Sequence, residues 1–155
     1  LCVAGVALAG RDDSPTEMEW VSEFASSWKD DSKYTTTASG LKYQLLANPS
    51  GASEALPKKG DAVKIMYKLF LEEGHKHIYS QANEAEAFDL TAGHGRVIKG
   101  FDEAVMLMRV GDRGRFLMPG DIAYGAGGAP GFGIPGGATL EYFMERIDDS
   151  GRAEL

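Results

Sequence analysis

The chain has 155 residues, 43% hydrophobic and 10% aromatic, enough for one cored domain plus an extension. Its net charge of −7, with no basic cluster, argues against nucleic acid or an anionic membrane surface as a partner. Cys2 is the sole cysteine, so neither an internal disulfide nor a cysteine–histidine metal site can form.

Residues 1–33 read as an N-terminal extension. Leu1 to Gly10 is apolar and uncharged but too short to span a bilayer. Ala7-Leu8-Ala9 before Gly10 has the small-x-small form of a signal-peptidase site. Residues 1–9 are therefore either the remnant of a targeting segment or a buried or disordered N-terminal strand. Ser14 can cap a helix, Pro15 suits its first position and Glu17 completes a capping box. An amphipathic helix is expected over 15–29, with Met18, Val21, Phe24, Ala25 and Trp28 on one face and Trp20 at its edge. That stripe has two destinations: its own domain, or a protein partner.

Residues 34–150 read as the main domain. Tyr34 to Thr37 is β-prone, Gly40 turns and Leu41 to Leu46 is a strand, followed by the loop Asn48-Pro49-Ser50-Gly51. Ala62 to Leu71 is a long strand, Glu72-Glu73-Gly74-His75 its turn, and His77 to Ser80 begins the return. Phe88-Asp89-Leu90, Arg113 to Met118 and Thr139 to Ile147 supply further strands. One helix follows Gly100, with Phe101, Val105 and Met108 at helical spacing and Gly111 placed to end it. Several antiparallel strands and one short helix imply an α+β fold: a strongly bent antiparallel sheet wrapped round that helix.

Little in the chain suggests acid–base, nucleophilic or metal chemistry. No Ser/His/Asp set and no paired carboxylates stand out, and His75 and His77 lack further ligands nearby, so they read as solvated hairpin-tip residues. The seven glycines between Gly125 and Gly137 are not followed by the Gly-Lys-Ser/Thr of a phosphate loop. Neither a metal nor a cofactor is expected.

Two stretches carry the most information: Val97-Ile98-Lys99-Gly100-Phe101-Asp102-Glu103-Ala104-Val105, and Pro119-Gly120-Asp121-Ile122-Ala123-Tyr124-Gly125 some twenty residues later. In order, spacing and flanks they resemble the FKBP family of peptidyl-prolyl cis–trans isomerases, and the resemblance spans roughly residues 36–149. It implies an isomerase, or protein-folding helper, acting on X-Pro bonds in protein substrates, with a macrolide as a second ligand. It also implies a proline pocket. Tyr67 and Phe88 match its wall, and Val97 and Ile98 the pair beside the proline ring, where the Ile98 N–H would hold a ligand carbonyl. Phe101 stands where the family usually has the tryptophan floor, Tyr124 matches the hydroxyl that bonds a carbonyl, and Tyr142 falls at the back wall. Ile134 belongs to the long loop above.

The departures are as specific. Ile78-Tyr79-Ser80 aligns with the family's usual Phe-Asp-Ser if one extra residue is allowed near His75 to His77, so a wall aromatic becomes Ile78 and the pocket acid becomes Tyr79. Lys68-Leu69 replaces Thr-Gly, losing a glycine suited to a bulge, and Phe132 looks like an insertion. Reduced activity is expected. The alternative is a weakly active or inactive FKBP-like binding module, an assembly factor or subunit of a larger complex that docks through helix 15–29. Ser39-Gly40-Leu41-Lys42-Tyr43 is similar to a run found in secreted and lumenal members, which implies export or an organelle lumen, such as a periplasm or thylakoid lumen.

Overall fold

The computed structural model describes residues 18, 20–21, 34–46, 56–82 and 87–147. The expected targeting stretch, the Asn48 to Gly51 loop and the helix over 15–29 lie outside them, apart from Met18, Trp20 and Val21. Among the described residues the strands are β1 (Thr35–Thr36), β2 (Lys42–Leu46), β3 (Ala62–Leu71), β4 (Lys76–Gln81), β5 (Phe88–Thr91), β6 (Arg113–Met118) and β7 (Leu140–Ile147), with one α-helix, α1 (Lys99–Val105). They pair antiparallel in one sheet of order β1-β2-β6-β7-β3-β4, and β5 also pairs with β3. Among the described residues the α+β architecture is the one implied by the sequence: an antiparallel sheet served by a single α-helix.

Side chains alternate between the faces of a strand, and here both faces are covered. In β3, Val63, Ile65 and Leu69 enter the cluster around α1, while Met66 and Phe70 enter a second cluster on the outer face. In β7, Leu140, Tyr142 and Met144 face α1, and Phe143 and Ile147 face away. This two-sided burial explains why β3 reads as a nearly unbroken apolar run.

A helix of seven residues is not stable alone. Burial of Phe101, Ala104, Val105 and Met108 against the sheet holds α1 in place. Gly100 permits the close approach, because a Cβ there would lie 2.7 Å from the Met118 sulfur. The end of the helix differs from expectation. It stops at Val105, and the chain tightens through i→i+3 bonds from Leu107 to Ala104 and from Met108 to Val105. Gly111, at φ +92, instead serves the turn before β6 and donates its N–H to the Arg146 carbonyl at 2.7 Å.

The outer face carries what the sequence left open. Met18 and Val21 are buried against Met66, Phe70, Phe143 and Ile147. The Trp20 indole N–H donates to Glu145 at 3.0 Å, and its ring meets Phe143 edge-on at 6.0 Å. These three side chains of the stripe therefore pack on their own sheet. Beside them Arg115 and Glu141, 1% and 0% exposed, form a buried ion pair at 2.7 Å. The Tyr34 hydroxyl accepts from Arg115 at 3.1 Å. His75 joins them, with Nδ1 2.7 Å from Glu141 and its ring stacked on Phe70 at 4.4 Å. The expectation of solvated histidines fails here: the β3–β4 turn folds His75 back at φ +50 onto the sheet, and His77 bonds to Ser80 at 2.8 Å.

Candidate functional site

The site begins at the entry to α1. Both carboxylate oxygens of Asp102, in the helix's first turn, accept backbone N–H bonds, from Gly93 at 2.7 Å and Gly95 at 2.9 Å. This ties segment 93–98 to the helix and fixes Val97 and Ile98, both half-buried, at its head. The Ile98 carbonyl accepts from Phe101 and Asp102. Among the described residues no acceptor takes the Ile98 N–H.

Three strands and the helix then contribute rings. Tyr67 of β3 stands 5.5 Å from Phe101 and 5.5 Å from Tyr142, and 6.2 Å from Phe88. Phe101 also meets Tyr142 at 5.2 Å and Phe88 at 5.8 Å, both nearly perpendicular. Such edge-to-face contacts are favourable and direction-specific, so the four rings brace one another around a space. That space is a cavity of about 440 Å³, lined by Tyr67, Phe88, Gly95, Arg96, Val97, Ile98, Phe101, Tyr124 and Tyr142. The Tyr67 hydroxyl donates to Gln81 at 3.2 Å. Tyr124 is 38% exposed, and among the described residues its hydroxyl has no hydrogen-bond partner.

Electrostatically the rings of the cavity carry no charge. Burial, reinforced by neighbouring Tyr79 and Tyr124, pushes the Tyr67 hydroxyl well above its ordinary value of 10.0. Burial does the same for Tyr142, with Tyr124 and then Tyr67 adding to it. Both phenols therefore stay protonated, and neither supplies a base. Among the described residues no three His, Cys, Asp or Glu side chains gather to hold a metal ion.

Seven of the ten residues singled out in the sequence thus converge on one cavity, and three stand apart from its lining. Ile134 is 2% exposed, in the core beneath the glycine-rich loop, where it bridges to Ala129. Ile78 packs against the cluster around α1, and the Tyr79 ring lies 6.1 Å from Tyr67, behind the wall. Their placement follows from the register: Phe70 pairs with His77 and Leu69 with Tyr79, leaving Ile78 unpaired. β4 thus carries a one-residue bulge at Ile78, close to where the resemblance allows an extra residue, and it forms although Lys68-Leu69 offers no glycine. Gly95 and Arg96 line the cavity but were missed in the sequence, where a glycine and a charged residue next to a helix start look like ordinary surface. Their one visible signal was direct adjacency to Val97-Ile98.

The loop above is built by its own backbone. Gly137 donates to the Gly125 carbonyl at 2.8 Å, and Ala129 and Ile134 exchange bonds at 2.9 and 3.1 Å. Gly128 is irreplaceable by any side chain: it has φ +66, and a Cβ would lie 2.5 Å from the Ile134 oxygen. The loop sets Tyr124 at the cavity edge and leaves Phe132, 61% exposed, at its outer tip.

Comparison with known proteins agrees with this geometry. Residues 53–146 match the profile described as FKBP-type peptidyl-prolyl cis-trans isomerase. The chain is similar to FK506-binding protein 1 of Kluyveromyces lactis, 41% identical over 104 residues, covering 67% of this chain and 90% of the relative. For FK506-binding protein 1 of Saccharomyces cerevisiae the identity is 39% over 97 residues, 63% of this chain and 83% of the relative. For the peptidyl-prolyl cis-trans isomerase Fkbp12 of Drosophila melanogaster it is 35% over 104 residues, 67% and 94%. An antiparallel sheet on one helix, an aromatic cavity at that helix's head and these similarities together place the chain in the FKBP-type peptidyl-prolyl cis-trans isomerase family.

Proposed function

We propose that this isomerase turns X-Pro bonds of protein substrates by seating the proline among Tyr67, Phe88, Phe101 and Tyr142, at a rate reduced by the loss of the pocket acid and of the tryptophan floor. The obstacle is amide conjugation, which sets a rotation barrier of about 18–20 kcal/mol and makes uncatalysed isomerisation take tens to hundreds of seconds. At the twisted transition state conjugation is lost and the amide is less polar than when planar. A dry aromatic cavity favours that state over the planar one, whereas water does the reverse. No bond is made or broken, so no base, nucleophile, metal or cofactor is required. The Ile98 N–H and the Tyr124 hydroxyl, donors without a partner among the described residues, lie at the cavity. They hold the peptide carbonyls while the amide turns.

The observation that carries this reading is the convergence of four bracing rings and two unpartnered donors on one space of about 440 Å³. Relatives of the chain are FK506-binding proteins by name, and an FK506-type macrolide is the ligand we expect to compete for that space. The test is catalysis of cis–trans exchange in short X-Pro peptides by the full chain, followed by protease-free NMR exchange. Acceleration suppressed by excess macrolide supports the reading; a folded protein with no rate above background refutes it and leaves a binding module.

The run Ser39 to Tyr43 and the Ala7-Leu8-Ala9 tripeptide support an exported or organelle-lumen location. Finding the native protein in the cytosol by fractionation would overturn that. Docking of a protein partner through residues 15–29 is the less favoured role, because Met18 and Val21 are already covered by the chain's own sheet.

A further inference from the structure

The apolar cavity has one charged residue in its lining, and the isomerisation as derived has no use for it. Among the described residues Arg96 is the single ionised side chain at this site, and it is exposed. It makes no ion pair or hydrogen bond among them. The nearest carboxylate along the chain, Asp102, forms no ion pair with it and accepts instead from the N–H groups of Gly93 and Gly95. The same two bonds anchor the backbone immediately before Arg96, so its starting point is fixed rather than adrift on a loop. Lys99, exposed one residue beyond Ile98, adds a second positive charge on this side of an otherwise acidic protein.

We propose that Arg96 is a specificity-determining residue that selects X-Pro substrates with an acidic side chain on the residue following the proline. The inference rests on the isomerase reading above. With the proline ring in the cavity and its carbonyl on the Ile98 N–H, the chain after the proline leaves on the side of the 96–98 segment. Arg96 lies two residues from Ile98, within about 7 Å along the backbone. A guanidinium there meets a carboxylate on the departing residue in a fork geometry suited to it, and it repels a lysine in the same place. The pair is solvent-exposed, so its effect is modest and weakens with salt.

The experiment compares three peptides, Ala-Leu-Pro-Glu-Ala, Ala-Leu-Pro-Gln-Ala and Ala-Leu-Pro-Lys-Ala, with capped ends, by protease-free NMR exchange at low ionic strength. For the wild-type chain the kcat/KM for the Glu peptide should exceed that for the Lys peptide by roughly two- to fivefold, equivalent to about 0.4–1 kcal/mol, with Gln between. Arg96→Glu should reverse the order of the three peptides, whatever it does to the absolute rates, and 1 M salt should flatten it. Equal rates across the three peptides, or an order unchanged in Arg96→Glu, overturns the proposal. If even the Gln peptide shows no catalysis, the isomerase reading has failed separately. The same peptides are then titrated against the labelled protein, where a Glu-over-Lys ranking of Kd that reverses in Arg96→Glu supports the role of Arg96 and equal Kd values overturn it.

Discussion

Tyr124 concentrates the site's chemistry in one atom. It is more exposed than the other rings of the cavity, and among the described residues its hydroxyl has no partner, so removing that oxygen touches the substrate and little else. Tyr124→Phe should lower kcat/KM about fivefold, the worth of one hydrogen bond of roughly 1 kcal/mol, with an unchanged thermal midpoint as the control. Glu141 is the opposite case, far from the cavity and essential to the frame. Its carboxylate compensates the buried Arg115 and takes His75 as well. Glu141→Ala strands the guanidinium and should cost about 3–5 kcal/mol, read as a lower denaturant midpoint at unchanged slope. Replacing Arg115 and Glu141 together by leucine should cost less than the single change.

At the level of elements, what could be read in advance depended on periodicity. The apolar, β-prone runs Ala62 to Leu71, Arg113 to Met118 and Thr139 to Ile147 located β3, β6 and β7 to within a residue, because strands covered on both faces must be largely apolar. Phe101, Val105 and Met108 located α1 for the same reason. Nothing in the strand patterns marks Arg115 and Glu141 as buried, because they are enclosed only through each other. His75 was misplaced because nothing in a Glu-Glu-Gly-His turn signals a ring folding back on Phe70. The cavity rings were visible through family likeness. Arg96 was not, since a lone arginine has no period to betray it. The glycine-rich loop was legible as a loop, but its closure depends on contacts that no pattern encodes. Gly128→Ala forces a positive φ on a side chain that also meets the Ile134 oxygen. It should cost about 1–3 kcal/mol and loosen Tyr124, seen as a lower thermal midpoint together with a raised KM.

Across the whole molecule, the buried phenols set the response to alkali. In the unfolded chain both hydroxyls titrate near the ordinary value of 10.0, whereas in the fold Tyr67 and Tyr142 keep their protons to higher pH. Above pH 10 the unfolded state therefore binds fewer protons than the native one, and stability falls as pH rises. These two residues contribute no pH dependence below that. Unfolding free energies measured from pH 8 to 11.5 should be flat in their Tyr67 and Tyr142 contribution up to about 10 and decline beyond it. Tyr67→Phe should lessen the decline.

The order of the sheet has a consequence for how the protein comes into being. β7, the latest strand in sequence, lies inside the sheet between β6 and β3, pairing along its length with both. Until residue 147 has left the ribosome, β3 and β6 have no strand to join them, and the helix they enclose has only part of its floor. Non-local pairing of this kind is slow to form, and a nascent chain lacking its central strand exposes unpaired edges. The fold is thus closed to vectorial, strand-by-strand assembly: a protein that hastens the folding of others must itself wait, threadlike, until its Leu140–Ile147 strand has been made.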